Sequence, residues 1–155
     1  MRLTDRLKVE HGVYLLQLRH LEELLAAQAS EEAVAAALTT IVIAEEHHSR
    51  LEDAVLYPQL AQRIGPDSPV LVEVRREHER LHDLAAAARL HGRADDAAAF
   101  VVALREHLEH EIHHLFPLAE ELLSEALLAS LGNWQEDHIR QELGRPESWT
   151  GPSGS

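Results

Sequence analysis

The chain has no cysteine, which excludes disulfides, thiolate metal ligands and cysteine nucleophiles together. Glycine and proline are scarce, seven and six in 155 residues, so collagenous and loop-dominated architectures are excluded as well. Two residues each of Phe, Trp and Tyr form no platform on which nucleobases would stack. Positive charge is also short. Fourteen Lys and Arg face 27 Asp and Glu, and the formal charge of −13 would repel phosphate backbones and anionic membranes. Neither nucleic acid nor membrane is therefore an expected partner. No apolar run approaches the roughly 18 residues that span a bilayer. Residues 1–6 lead into an amphipathic pattern rather than the apolar block of a signal peptide, so the expected location is cytoplasmic. Glycine-rich phosphate loops and the Gly-x-Ser-x-Gly elbow are missing too.

What remains is rich in Leu, Ala, Glu and Arg, without sustained strand-like alternation, and this predicts helices throughout. Four long amphipathic segments are read at about 5–27, 31–64, 69–91 and 95–130. Ser30 caps the second, Ser68-Pro69 opens the third, and Gly92 follows it. Pro58 and Pro117 are expected to kink or end the second and fourth. Asn133-Trp134-Gln135-Glu136 has capping-box spacing and predicts a short fifth helix to Leu143, with a loose tail over 144–155. Short links between long helices imply antiparallel neighbours. The expected fold is all-α: an up-down-up-down four-helix bundle over 1–131, then the short helix and tail over 132–155. A weak repeat supports two related hairpins. His48, Glu52 and Leu56-Tyr57-Pro58 recur 59 residues on as His107, Glu111 and Leu115-Phe116-Pro117.

Twelve histidines are several times the usual share. His11 falls in the apolar stripe of the first segment between Leu7 and Tyr14. The second stripe turns polar at Glu45, His48 and Glu52, the third at His78 and Leu81/His82, and the fourth at His107, Glu111 and His114 or Leu115. Burying one such group without a partner costs about 2–7 kcal/mol, so something must compensate several at once. The i, i+4 spacing puts His48 with Glu52, His78 with His82, and His107 with Glu111 on common faces. In an up-down-up-down bundle all these positions meet at one level. Five imidazoles (His11, His48, His78, His82, His107) and two carboxylates (Glu52, Glu111) describe a metal site, and more donors than the four of a structural zinc. Glu45, His114 and Tyr14 face inward nearby. His20, His47, His91, His110, His113 and His138 are read as surface residues. His78-Glu79-Arg80-Leu81-His82 also fits the HExxH pattern of zinc peptidases. With no strand to align a peptide and Glu79 off the inward stripe, that reading is set aside.

The order His11, His48-x-x-x-Glu52 before Leu-Tyr-Pro, His78-x-x-x-His82, and His107-x-x-x-Glu111 before Leu-Phe-Pro resembles the hemerythrin-like (HHE cation-binding) family over about residues 7–118. It departs from the animal oxygen carriers of that family in a shorter last gap and in Glu111 where they carry Asp. The resemblance implies two iron ions with an oxo or hydroxo bridge. It assigns His78, His82 and His107 to one iron, His11 and His48 to the other, and Glu52 and Glu111 to both. It implies dioxygen as the small ligand, bound for sensing, storage or delivery. Turnover of peroxide and iron buffering are the alternatives, and the imidazole-rich donor set argues against buffering.

Overall fold

The computed structural model describes residues 1–142, with side chains described through Trp134. Its helices are α1 (Leu3–Ala26), α2 (Glu31–Leu51), α3 (Tyr57–Ile64), α4 (Pro69–His91), α5 (Ala94–His110), α6 (Phe116–Leu122) and α7 (Glu125–Glu142). No strand occurs among the described residues, and no helix is long and apolar enough to cross a membrane. Packing runs α1 on α2, α2 on α4, α4 on α5 and α5 on α1, the cyclic order of an up-down-up-down four-helix bundle. The expected tail, 144–155, lies outside the described residues.

Local chemistry sets the boundaries. Ser30 Oγ accepts the Ala33 N–H at 3.3 Å to start α2. Gly92, at φ 63°, takes the left-handed conformation that closes α4. The two interior prolines act in a way their positions alone do not reveal. Pro58 and Pro117 have no N–H to return to the preceding turn. In each case the residue before the proline bonds one step further back, Tyr57 N–H to Glu52 O and Phe116 N–H to Glu111 O. The result is a single π-helical turn, Glu52–Leu56 and again Glu111–Leu115, after which α3 and α6 continue the helices.

The core is layered. One apolar cluster holds Tyr14, Leu18 and Leu21 of α1 with Leu38, Ile41, Leu81, Phe100 and Leu104. The other holds Leu3 and Leu7 with Leu56, Leu60, Leu71, Val74, Leu115 and Phe116. On every helix the polar positions fall between the two: His11 after Leu7, Glu45, His48 and Glu52 after Val42, His78 after Val74, His107 and Glu111 after Leu104. A polar belt therefore crosses the bundle between two oily ends.

The last helix differs from expectation. It starts at Glu125, where Ser124 Oγ accepts the Leu127 N–H at 3.2 Å, rather than at Asn133. It packs along α1. Gly132 is the point of closest approach: a Cβ there would collide with the Met1 carbonyl oxygen and crowd Leu3 N at 3.1 Å. Gly→Ala inside a helix ordinarily gains about 1 kcal/mol. Here the collision is with backbone, and overpacking of that kind costs about 1–3 kcal/mol. Gly132→Ala is thus expected to lower the Tm by several degrees in a thermal melt. A raised Tm would show that α7 does not press on the start of α1.

Candidate metal centre

Six of the seven expected donors come together in the belt, all buried: His11 (α1), His48 (α2), Glu52 (first π turn), His78 (α4), His107 (α5) and Glu111 (second π turn). They form two groups of four donors that share both carboxylates. His11, His48, Glu52 and Glu111 make one; Glu52, His78, His107 and Glu111 make the other. In the first, His11 Nε2 lies 2.9 Å from His48 Nε2 and 3.2 Å from Glu111 Oε2, and His48 Nε2 lies 3.3 Å from Glu52 Oε1. In the second, His78 Nε2 lies 3.2 Å from His107 Nε2 and 3.5 Å from Glu52 Oε2, with His107 Nε2 3.4 Å from Glu111 Oε2.

His82 is the exception. Its side chain is 73% exposed on the outer side of α4. From His78 the buried stripe steps three residues to Leu81 and then to Ala85, which leaves His82 a further 100° round the helix. The two histidines of the HExxH pattern therefore do not converge. His114 is exposed as well, because a π turn takes one more residue than an α turn and passes the alignment with Glu111 to Leu115. Glu45 and Tyr14 are buried beside the belt, and the Tyr14 hydroxyl donates to Ala44 O at 3.2 Å.

Four participants escaped the sequence reading. Glu10 Oε2 lies 2.8 Å from His48 Nδ1, and Glu77 Oε2 lies 2.8 Å from His107 Nδ1. The other Glu77 oxygen holds His110 Nδ1 at 2.8 Å, so His110 is half-buried rather than a free surface residue. Asp53 Oδ1 lies 3.5 Å from His78 Nδ1. The Tyr57 hydroxyl donates to Glu111 Oε1 at 2.8 Å and lies 3.3 Å from His78 Nε2. A signal for the first two was present. The dipeptide Glu10-His11 recurs 67 residues on as Glu77-His78, and in each copy the Glu grips the histidine of the following helix while the His turns inward. On the same offset His82 corresponds to Leu15, which is not in the belt.

The donor chemistry fits a pair of cations. An ionised carboxylate only accepts, so the Glu10 and Glu77 contacts fix a proton on Nδ1 of His48 and His107. Each Nε2 of the neutral ring then carries its lone pair into the belt, facing another imidazole nitrogen and a carboxylate. Buried Glu52 Oε1 and Glu111 Oε2 have no hydrogen-bond partner at all. Acceptors that face acceptors in a buried layer need something positive between them.

Where no cation compensates the belt, protons do. Burial opposes the charged form of His48, His78 and His107, but the surrounding carboxylates outweigh it and raise all three, His78 to about 10. Burial likewise opposes the ionised Glu52, Glu10 and Glu77, yet the imidazoles hold their pKa values low. Glu45 is raised by its burial, with the Ser49 hydrogen bond opposing.

A family model described as the Hemerythrin HHE cation binding domain matches residues 2–119. No curated protein and no solved structure matches the chain.

These shifts fix the pH response of the metal-free chain. The raised histidines contribute stability in full below their ordinary 6.5 and lose it as pH climbs through their higher folded values, up to about 10 for His78. The lowered carboxylates contribute above their ordinary 4.5 and lose it on acidification. Raised Glu45 adds a loss of the same sign as pH rises from its ordinary 4.5. Urea unfolding of chelator-treated protein should therefore show lower stability at pH 8.5 than at pH 5.5. An increase across that interval would contradict the assignment of charges in the belt.

Proposed function

The chain belongs to the hemerythrin HHE cation-binding family, and from that membership we infer that the belt holds two iron ions and takes up dioxygen or a related small ligand, for sensing, storage or delivery. The observation that carries this reading is the pair of four-donor groups joined through Glu52 and Glu111. A single structural ion would be satisfied by four donors. Carboxylates shared between two sets could serve two cations and would cancel part of their charge, and the mixed imidazole and carboxylate set suits iron. When bound, such a pair supplies reversible electron transfer to a small oxidant.

The protein's own residues set the conditions. Glu10 and Glu77 orient His48 and His107 from behind, raising their basicity as ligands. The apolar layers on either side, with Leu18 and Leu81 in one and Leu7 and Val74 in the other, keep bulk water out. With His82 turned outward, three imidazoles against two become two against two. Each set then offers the same donors, two imidazoles and the two shared carboxylates.

One feature favours a second reading, turnover of peroxide. The phenol of Tyr57 touches the donor sets, 2.8 Å from the shared Glu111 and 3.3 Å from His78 Nε2. In the metal-free chain burial, reinforced by Glu52 and Glu111, holds its pKa well above the usual value, and its proton is directed at Glu111 Oε1, where acid catalysis could use it.

Protein purified in air is expected to carry about two iron ions per chain and a charge-transfer absorption that changes between air and argon. Glu52→Ala, which removes a shared ligand, should lose most of the metal. Tyr57→Phe should keep metal and fold. If it lowers oxygen evolution from added hydrogen peroxide about tenfold or more, the enzyme reading gains over reversible binding. Purified protein that neither holds nor takes up iron would overturn both.

A further inference from the structure

The two seams that flank the belt are not alike. Between α2 and α4 a cleft of about 460 Å³ reaches from the surface to His78. We propose that this cleft is the port through which hydrated divalent cations reach the belt, a reading that rests on the belt being the metal centre. Its mouth carries Glu46, Asp53, Glu79 and Asp83, and buried Glu45 forms part of its wall. Arg50, also in its lining, lies 3.8 Å from Glu46, and the acidic side chains outnumber the basic ones at the mouth, so the field there is negative and low-dielectric walls focus it.

Charge alone would not identify a port, but His78 points to one. It is nine-tenths buried, its Nε2 faces the belt, and its Nδ1 has no hydrogen-bond partner on the cleft side, where Asp53 stands 3.5 Å away. One ring thus touches both the cleft and the centre. The internal repeat supplies a control for what the fold itself requires. On the offsets of 59 and 67 residues, Glu45, Ser49 and Asp53 correspond to Leu104, Leu108 and Ile112, and Glu79 and Asp83 to Gly12 and Leu16. Leu104 and Leu108 are fully buried in the core at the opposite seam, between α1 and α5. Packing at that level therefore works with leucine. A carboxylate at Glu45, 3% exposed, is not demanded by the fold.

A second, smaller depression of about 50 Å³ reaches His107, but it has Arg80 in its lining beside Glu77 and Glu106 and so lacks the acidic excess of this cleft. The port also accounts for the unused half of the HExxH pattern, since Glu79 and His82 both line the cleft.

The test is the rate of filling, read apart from any activity. Metal-free full-length protein is mixed with cobalt(II) under argon, and uptake is followed by its visible absorption at several ionic strengths. Glu46→Gln/Glu79→Gln/Asp83→Asn should slow uptake about tenfold at low salt, with the final stoichiometry unchanged. The wild-type rate should fall as salt rises, and the variant's much less. Glu31→Gln/Glu32→Gln/Asp95→Asn removes the same charge at the loop end of the bundle and should fill at nearly the wild-type rate. Equal rates for wild type and the cleft variant, or equal slowing by both variants, overturn the port while leaving the centre intact. A wild-type chain that takes up no cobalt overturns the centre and the port together.

Discussion

The structure depends on lone pairs that face one another in a buried layer. His48 and His107 are held from outside by Glu10 and Glu77, so their inner nitrogens arrive as acceptors, and the carboxylates they meet are acceptors too. Such a layer is unfavourable unless cations or protons occupy it, because buried charge without compensation costs several kcal/mol per group. The apolar clusters on either side meet the cost of the fold through burial, and the belt spends part of that gain. Every helix must therefore hold its register, since a slip of one residue would put a donor into oil and a leucine into the belt.

The backbone secures that register at the two residues that matter most. Glu52 and Glu111 each open a π turn, and each turn is closed from the residue before a proline. Proline cannot supply the regular bond, and the residue before it reaches one carbonyl further back, to Glu52 O and Glu111 O. The extra residue widens the turn at the level where the shared carboxylates must reach across the bundle. Placing a helix irregularity beside a functional side chain is a recurrent use of π turns. Here it occurs twice, from the same short motif.

Spacing made much of this legible. The i, i+4 pairs, the level shared by His11, His48, His78 and His107, and the Pro58/Pro117 repeat lead to the bundle and to the six donors that meet. His82 misled because helical spacing says which residues share a face, not which of two neighbours the stripe follows. Leu81 and His82 compete for that place, and apolar packing against the core decides in favour of Leu81. The Glu10-His11 and Glu77-His78 repeat would have resolved it, since His82 then falls opposite Leu15. Tyr57 could not be read at all. Its hydroxyl reaches Glu111 only because the π turn swings the following helix, and no one-dimensional pattern encodes that rotation. The start of α7 was misplaced because capping-box spacing pointed to Asn133, whereas Ser124 caps the helix and Gly132 lies within it, in close contact with the start of the chain.

The internal two-fold relation separates holding from acting. Positions that agree between the halves are those that hold: Glu10 with Glu77, His11 with His78, His48 with His107, Glu52 with Glu111. Positions that disagree give the site a direction. Phe116 lies against the His11 ring at 5.0 Å as Tyr57 lies against His78 at 5.5 Å, but only the second partner carries a hydroxyl. Asp53 stands 3.5 Å from His78 Nδ1, where Ile112 occupies the matching position of the other half. A symmetric cage would bind two ions alike and treat an incoming molecule alike from either side. The substitutions on one side place the proton donor, the outer carboxylate and the solvent-facing cleft at the same imidazole. The His78 half therefore faces the cleft, whereas the His11 half, with a phenyl ring and an aliphatic side chain at the matching positions, is sealed in the core.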